Sequence, residues 1–214
     1  MSSPVLLMIA GPNGSGKTTL TRQLQADGLD LGTYINPDDI AQELSGSYAE
    51  RVADAQTIAD EMRQHCLHRR ESFSFETVMS HPSKIDVLKQ AKALGYFNVL
   101  YFVGTELPEL NISRVRQRVG LGGHDVPDDR IIARYSRAMT LLPLAIAQCD
   151  RVVLFDNSYR FLPDTQVVFE PFCEILLDGN ESFFRTGRFE VGAKVMLGVP
   201  RWAWKLFYVR ENED

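Results

Sequence analysis

The chain has 214 residues, of which 23 are basic and 28 are acidic, and its formal net charge is −5. This length suits one domain with a sizeable core, and the acidic balance argues against a general binder of nucleic acids or membrane surfaces. The three cysteines, Cys66, Cys149 and Cys173, are widely spaced without a C-x-x-C pair, which argues against a disulfide framework or a zinc site.

The first predicted element is an apolar run over residues 5–10, which has the length of a fully buried strand. This run lacks a basic flank, so it is predicted to be a core strand and not a signal peptide. No apolar stretch of the sequence is long enough to span a bilayer. Together these observations predict a cytoplasmic protein.

A glycine-rich loop, GPNGSGKT at residues 11–18, follows this strand and leads into a helical pattern over residues 18–26. The loop fits G-x-x-x-x-G-K-[ST], in which backbone amides converge on phosphate oxygens at a helix N-terminus. An ordinary glycine-rich turn would rarely have both flanking elements. We predict a nucleoside triphosphate site, with Lys17 reaching the β- and γ-phosphates and the hydroxyl of Thr18 in the shell of Mg²⁺. The predicted nucleotide-binding residues are Gly11, Pro12, Asn13, Gly14, Ser15, Gly16, Lys17, Thr18 and Thr19.

Strand-like segments alternate with helical patterns further along the chain. Near the end of one helical pattern, His65 and His68 lack partners at ligand spacing and are predicted to be surface or helix-end residues. The alternation predicts an α/β fold, in which a parallel sheet has helices on both faces. The further strands are predicted at residues 32–37, 72–78, 98–104 and 151–156, and the clearest helices at 48–70 and 82–94.

Acidic residues follow two of the predicted strands. Asp38 and Asp39 come after the second strand, and Glu76 and Thr77 end the third. Ligands bind at the carboxyl edge of open α/β sheets, so these side chains are expected near the phosphate loop. We expect one aspartate to react and the other to cap the next helix. Glu76 is expected to orient either the magnesium shell or a substrate hydroxyl.

The segment ISRVRQRVGLGGHDVPDDRIIARYSRAM, residues 112–139, has arginines on both sides of a glycine-rich loop. Helical spacing aligns each set of arginines on one face, as in a lid that neutralises a transferring phosphoryl group and excludes water. A solvated basic helix is the alternative for some of them. His124, at the tip, is predicted either to contact phosphate or to be only a loop residue. The arginines are Arg114, Arg118, Arg130, Arg134 and Arg137.

Five segments between Ile9 and Ser158 occur in a specific order and spacing. They are GPNGSGKTT, NPDDIA, FETVMSH, the pair SRVRQRVGLGGHDVP and ARYSRA, and LFDNS. In these segments the chain resembles the P-loop kinases of the zeta toxin family, from the branch often labelled as predicted ABC-type ATPases. Residues after Ser158 lie outside the resemblance.

The resemblance implies a P-loop NTPase fold, in which the sheet has the order 2-3-1-4-5 and carries a kinase lid. It also implies transfer of the γ-phosphate of ATP, with Mg²⁺, to a hydroxyl group of a small molecule. The best-known toxins of the family use the nucleotide sugar UDP-N-acetylglucosamine. An antitoxin protein is an implied partner, whereas a membrane or a nucleic acid is not expected.

The resemblance assigns roles to the acidic residues. Asp38 matches the catalytic base, which leaves Asp39 to cap the next helix. Glu76 matches an acidic residue that helps to hold the acceptor sugar. The residues expected to contact the acceptor are Asp38, Glu76, Thr77 and Ser80.

The resemblance also assigns roles to basic residues. Arg118 and Arg134 match the phosphate-clamping arginines, and they are expected to act together with Lys17. His124 stands where the toxins have a basic residue on the lid loop. We therefore count these four side chains as candidate catalytic residues.

The predicted kinase domain covers residues 1–178, with a lid at about residues 114–137, and residues 179–214 form an extension of unclear role. Interleaved basic and aromatic residues in the extension could stack on a nucleic acid, but we favour covering of a sheet edge or contact with a second subunit.

Two other functions stay open at this point. One is an ATPase that is not a kinase, although ELSGS at residues 43–47 is a poor ABC signature. The other is a polynucleotide or RNA kinase, against which the acidic balance weighs.

Overall fold

A seven-stranded sheet runs through the part of the chain that the structure describes. The structure is a computed structural model, and it describes residues 3–158, 169, 171–178, 181–185 and 200–208. In chain order the strands are β1 (Val5–Ala10), β2 (Thr33–Ile35), β3 (Phe73–Thr77), β4 (Phe97–Gly104), β5 (Arg151–Asp156), β6 (Pro171–Asp178) and β7 (Glu181–Arg185).

The strand order is β2-β3-β1-β4-β5-β6-β7, so the predicted order 2-3-1-4-5 is confirmed for the first five strands. These five are parallel, and β1 lies between β3 and β4, with Leu6 opposite Phe73 on one side and Asn98 on the other. Strand β6 extends the sheet as the antiparallel neighbour of β5, and β7 pairs antiparallel with β6. The predicted parallel sheet is confirmed for the first five strands, but the antiparallel edge formed by β6 and β7 was not predicted, because antiparallel strands need no crossover helix between them that would mark them in the sequence.

Seven helices are described around the sheet, and none of these is both long and apolar enough to cross a membrane. They are α1 (Lys17–Ala26), α2 (Pro37–Glu43), α3 (Tyr48–Arg69), α4 (Ser83–Ala93), α5 (Pro108–Gly120), α6 (Asp128–Ile146) and α7 (Arg201–Tyr208). Helix α3 begins with a capping box, in which the side chains of Ser47 and Glu50 each accept a hydrogen bond from the other's backbone amide.

The core lies on both faces of the sheet because side chains alternate along the buried parallel strands. Along β1, Leu6 and Met8 pack into a layer that also contains side chains of α3, α4 and α6. Leu7 and Ile9 point to the opposite face and pack with Leu20 of α1. The arrangement confirms the prediction of helices on both faces.

Helix α3 buries a face that consists mainly of apolar residues, but this face also contains a buried arginine. Arg63 is 1% exposed, and its guanidinium lies 5.0 Å from the centre of the Phe75 ring and forms an ion pair with Asp60. The aromatic face and the carboxylate together stabilise a charge that is otherwise costly to bury. His65 and His68 are exposed, as predicted.

The C-terminal helix α7 packs against the carboxyl ends of β4 and β5. The ring of Trp202 lies 5.7 Å from the ring of Phe102, and its Nε1 donates to Asp156 Oδ1 at 3.0 Å. Part of the predicted extension therefore contacts the sheet directly. Apart from residues 181–185 and 200–208, that extension lies outside the described residues.

This contact predicts that Gly104→Ala destabilises the protein. The new Cβ would lie 2.3 Å from Trp202 Cζ2, so the ring or the strand must move, at a cost of about 1–3 kcal/mol. Chemical denaturation of the variant measures the change. Gly120→Ala is the matched control, because among the described residues its Cβ would meet no atom within 4 Å beyond its chain neighbours and the backbone of its own helix. Equal unfolding free energies for both variants would contradict the packing of Trp202 on Gly104.

Candidate active site

The glycine-rich loop between β1 and α1 is tightly packed between two other segments. Gly14 and Gly16 have φ values of +71° and +106°, which are strained for any other residue. A Cβ at Gly14 would lie 2.7 Å from the backbone oxygen of Asn111 at α5, and one at Gly16 would lie 2.7 Å from Asn157 Nδ2 after β5. Only glycine fits at these two positions.

The N-terminus of α1 has the features of an anion site. Its N-cap residue is Gly16, which has no side chain to accept from the first amide groups, and the first turn has no acidic residue. Unsatisfied amides and the helix dipole favour a negative group at such an end. The hydroxyl of Ser15 is buried and has no partner among the described residues. The loop therefore suits the phosphates of a nucleotide.

Lys17 lies over the loop and bonds to its backbone. Its Nζ donates to the carbonyl oxygens of Gly11 at 2.9 Å and Pro12 at 3.0 Å. Asn157 Nδ2 donates to the carbonyl oxygen of Ser15 at 2.7 Å, so the end of β5 supports the same loop. Asn157 belongs to the LFDNS segment, and we did not predict it as a site residue although its motif was recognised.

Four other predicted site residues lie close enough to influence the charge of Lys17. Burial is the main factor, and it lowers the pKa of Lys17 below its usual value. The negative charges of Glu76 and Asp38 raise this pKa, and the positive charges of Arg118 and Arg134 lower it. These five charged side chains come from the phosphate loop, the end of β3 and the helices α2, α5 and α6.

Glu76 accepts hydrogen bonds from three hydroxyl groups. Thr18 Oγ1 donates to its Oε2 at 3.0 Å, whereas Thr21 Oγ1 at 2.6 Å and the hydroxyl of Tyr34 at 2.8 Å donate to Oε1. Burial and the charge of Glu76 raise the pKa of Tyr34 far above its usual value. Thr21 and Tyr34 were not predicted as site residues, because neither belongs to a motif.

The other two residues predicted to contact the acceptor lie in the turn after β3. Thr77 Oγ1 accepts from the backbone amide of Met79 at 3.0 Å, and the Thr77 carbonyl accepts from the amide of Gly11 at 3.3 Å. Met79 has a φ of +54°, which is uncommon outside glycine and marks a strained turn. Ser80 is half-buried next to it. Thr77 therefore shapes the turn.

The N-terminus of α2 differs from the predicted capping. Asn36, and not Asp39, is the cap, since its Oδ1 accepts from the amide of Asp38 at 3.1 Å. Asp39 Oδ2 in turn accepts from Asn36 Nδ2 at 3.0 Å and so holds the capping side chain. The prediction that Asp39 caps the helix was wrong, because the asparagine three residues earlier already has the geometry of a cap. Asp38 is exposed at the mouth of the site.

Arg118 and His124 meet at the loop between the lid helices. Arg118 Nη2 donates to the backbone oxygen of His124 at 3.0 Å, which closes the loop onto α5. The His124 ring packs on the ring of Tyr48 at the start of α3, with 5.0 Å between the ring centroids. The lid loop therefore contacts α3 through His124, and a role of this residue in catalysis stays a prediction.

Helix α6 brings Arg134 to the phosphate loop. Arg134 Nη1 lies 3.5 Å from Asn13 Oδ1. Arg130 and Arg137 on the same helix are exposed, so they fit the alternative of a solvated face. Arg114 of α5 is half-buried. Of the five predicted lid arginines, Arg134 contacts the phosphate loop, and the charge of Arg118 also lowers the pKa of Lys17.

The fold and this arrangement of charged residues define the class of protein as a P-loop kinase. Residues 1–162 match the family model described as Zeta toxin, and the chain belongs to the zeta toxin family. The family consists of ATP-binding kinases, so the resemblance seen in the five sequence segments is confirmed.

Several known proteins are similar to this chain. An uncharacterized protein of Haemophilus influenzae is 31% identical over 131 residues, which are 60% of this chain and 91% of that protein. In the structure of the PezAT toxin–antitoxin system of Streptococcus pneumoniae, a chain aligns with a TM-score of 0.54 and 18% identity, over 73% of this chain and 70% of that one.

The complex of AvrRxo1-ORF1 and AvrRxo1-ORF2 with sulphate ions contains a chain that aligns with a TM-score of 0.63 and 17% identity. The alignment covers 86% of this chain, which spans 61% of the length of that chain. A structure of the same complex with ATP aligns with a TM-score of 0.56 and 15% identity, over 81% of this chain and 59% of that one. At these identities the likeness shows a shared fold.

Proposed function

We propose that this protein transfers the γ-phosphate of ATP to a hydroxyl group of a nucleotide sugar, such as UDP-N-acetylglucosamine, or of a similar metabolite. The observation that carries the proposal is the convergence of Lys17, Asp38, Glu76, Arg118 and Arg134 around one phosphate loop. Two carboxylates beside three cations suit a reaction in which a proton leaves a hydroxyl while negative charge shifts on a phosphate chain.

Asp38 is the proposed general base. The acceptor oxygen attacks the γ-phosphorus, the bond from phosphorus to the β,γ-bridging oxygen breaks, ADP leaves and the hydroxyl proton passes to Asp38. Asp38 is exposed at the mouth of the site, where an acceptor can reach it, and its charge acts on the pKa of Lys17. Its exposure and its effect on Lys17 support the assignment of Asp38 as the base that orients the acceptor.

Lys17, Arg118 and Arg134 are the proposed phosphate contacts. Lys17 would exchange its two bonds to backbone oxygens for bonds to phosphate, which carries more negative charge. Thr18, with Glu76 beside it, is the residue proposed to hold Mg²⁺, and the ion would neutralise charge on the β- and γ-phosphates. The arginines of the lid add positive charge where charge develops during transfer.

Replacing Arg118 or Arg134 by alanine is expected to lower turnover by about a hundredfold or more, with a smaller effect on ATP affinity, because these side chains act mainly in the transition state. Lysine at either position should restore activity only in part, since it lacks the planar fork of arginine. Steady-state kinetics and separate ATP titrations measure both quantities.

Arg137→Ala is the matched control for these variants, because Arg137 lies on the same helix as Arg134 but is exposed. This control should keep wild-type turnover. Wild-type turnover in both the Arg118 and the Arg134 variant would place these arginines on a solvated face and remove them from the mechanism.

The decisive experiment follows labelled phosphate from the γ-position of ATP into pools of nucleotide sugars, nucleosides and RNA. Label in a nucleotide sugar supports the proposal. Label only in inorganic phosphate would indicate an ATPase that is not a kinase, and label at an RNA end would indicate a polynucleotide kinase. Either result would overturn the proposed acceptor.

An antitoxin protein as partner and a cytoplasmic location also stay proposals. The fold shared with a chain of the PezAT toxin–antitoxin system supports the first of these. An antitoxin would have to cover the phosphate loop or keep the lid from closing in order to block transfer.

A further inference from the structure

Glu76 is the most completely bonded side chain of the site. It is 7% exposed and lies at the end of β3, where it pairs in register with Ile9 of the central strand. Its three hydroxyl partners, Thr18, Thr21 and Tyr34, come from α1 and β2, and they approach both carboxylate oxygens. Donors on two different elements fix the rotation of the carboxylate.

We propose that Tyr34 and Thr21 are positioning residues, which fix Glu76 so that it holds the hydroxyl of Thr18 in the orientation that a bound Mg²⁺ requires. The inference rests on the proposed function. It assigns Glu76 to the metal side of the site, whereas the resemblance to the family implies a contact with the acceptor.

The direction of the bond from Thr18 carries the argument. A hydroxyl group has a single hydrogen, and that of Thr18 points to Glu76 Oε2 at 3.0 Å. The lone pairs of the same oxygen are then directed elsewhere, and lone pairs are what a hard cation binds. A carboxylate that takes the hydrogen of a metal-binding hydroxyl thus orients it, in the way that outer partners orient metal ligands in general.

The bonds at Oε1 explain why two further hydroxyls are present. Thr21 and Tyr34 donate to Oε1 at 2.6 Å and 2.8 Å, so this oxygen is occupied and Oε2 is left for Thr18. The Thr21 hydroxyl also lies 3.1 Å from the carbonyl oxygen of Lys17, but the carboxylate is the nearer and the charged acceptor. Without the two bonds at Oε1 the carboxylate could rotate and release Thr18. The same two bonds leave little capacity on Oε1 for an acceptor hydroxyl, whereas Asp38 is exposed and open to one.

The test compares ATP affinity with excess Mg²⁺ and with EDTA, by calorimetry and without any acceptor. In the Tyr34→Phe/Thr21→Val double variant, the gain in affinity that Mg²⁺ gives should fall by about tenfold, while the affinity in EDTA stays the same. Tyr34→Phe alone should show a smaller fall. Thr21→Ser keeps the hydroxyl and should behave as the wild type.

Tyr96→Phe is the matched control. The Tyr96 hydroxyl is also enclosed, and it donates to the carbonyl oxygens of Cys66 at 2.8 Å and Glu71 at 3.0 Å, on the far side of β3 from Glu76. Its loss should lower stability but leave the effect of Mg²⁺ unchanged. Thermal melts of all variants show which of them are folded. If the double variant is not folded, the effect of Mg²⁺ on the ATP affinity of the near-isosteric Tyr34→Phe variant decides between the outcomes.

An unchanged effect of Mg²⁺ on ATP affinity in the folded variants would overturn the proposal. If the variants only raise the KM for the acceptor, Glu76 contacts the acceptor, as the family resemblance implies. The outcome is separable from that of the proposed function, because no acceptor is present in the titration. If the wild type gains affinity with Mg²⁺ and the variants lose that gain, the positioning role holds even where no nucleotide sugar is phosphorylated.

Discussion

Asp38→Asn is expected to lower turnover by about a hundredfold to ten-thousandfold while ATP affinity and the fold are retained. The amide keeps the size of the side chain but cannot take up the proton that the acceptor hydroxyl must lose. The backbone amide of Asp38, which donates to Asn36 Oδ1, is unaffected by the change. Steady-state kinetics with saturating ATP, together with an ATP titration, measure the two quantities separately.

Asp39→Asn is the matched control for this prediction. Asp39 holds the capping residue Asn36 through one hydrogen bond, and an asparagine oxygen can still accept that bond. The variant should keep its turnover and lose at most about 1 kcal/mol of stability. An inactive Asp39 variant beside an active Asp38 variant would reverse the assignment, and two active variants would exclude a general base at this position.

Lys17→Ala is expected to lower turnover by about a thousandfold or more and to weaken ATP binding. Lys17 lies among two carboxylates and two arginines, and its removal leaves Asp38 and Glu76 without the cation between them. Calorimetry measures the ATP affinity of the variant, and a phosphate-transfer assay measures its turnover. Lys92→Ala, at an exposed position at the end of α4, should behave as the wild type. Undiminished transfer in the Lys17 variant would exclude this loop as the phosphate site.

The sequence was sufficient to predict the phosphate loop and the order of the first five strands. The loop is a local pattern, in which Gly14, Gly16 and Lys17 are close in sequence and a strand and a helix flank them. The positions of Asp38 and Glu76 followed because parallel strands end at one edge. These features depend on motifs whose residues are close in sequence or on the family resemblance, and the sequence alone shows both the motifs and the resemblance.

Contacts between distant segments could not be predicted in this way. The hydroxyls of Thr21 and Tyr34 reach Glu76 across 55 and 42 residues of sequence, and neither residue type is specific for such a contact. Buried Arg63 was missed because helical periodicity treats every arginine as polar. At α2, both Asn36 and Asp39 are good capping residues, and only the backbone shows that Asn36 is used.

The position of the antiparallel strand β6 after β5 in the chain affects the tendency of the nascent protein to aggregate. A ribosome delivers β5 before β6, and β5 is an apolar strand whose outer edge stays unpaired until β6 arrives. At about 5–20 residues per second, the roughly 20 residues up to the end of β6 require about one to four seconds. During that interval the unpaired backbone groups at the edge of β5 can form hydrogen bonds with strands of neighbouring nascent chains. Slower translation of the segment after β5 is thus expected to increase aggregation of the nascent chain. This effect does not depend on the free energy of unfolding of the finished protein.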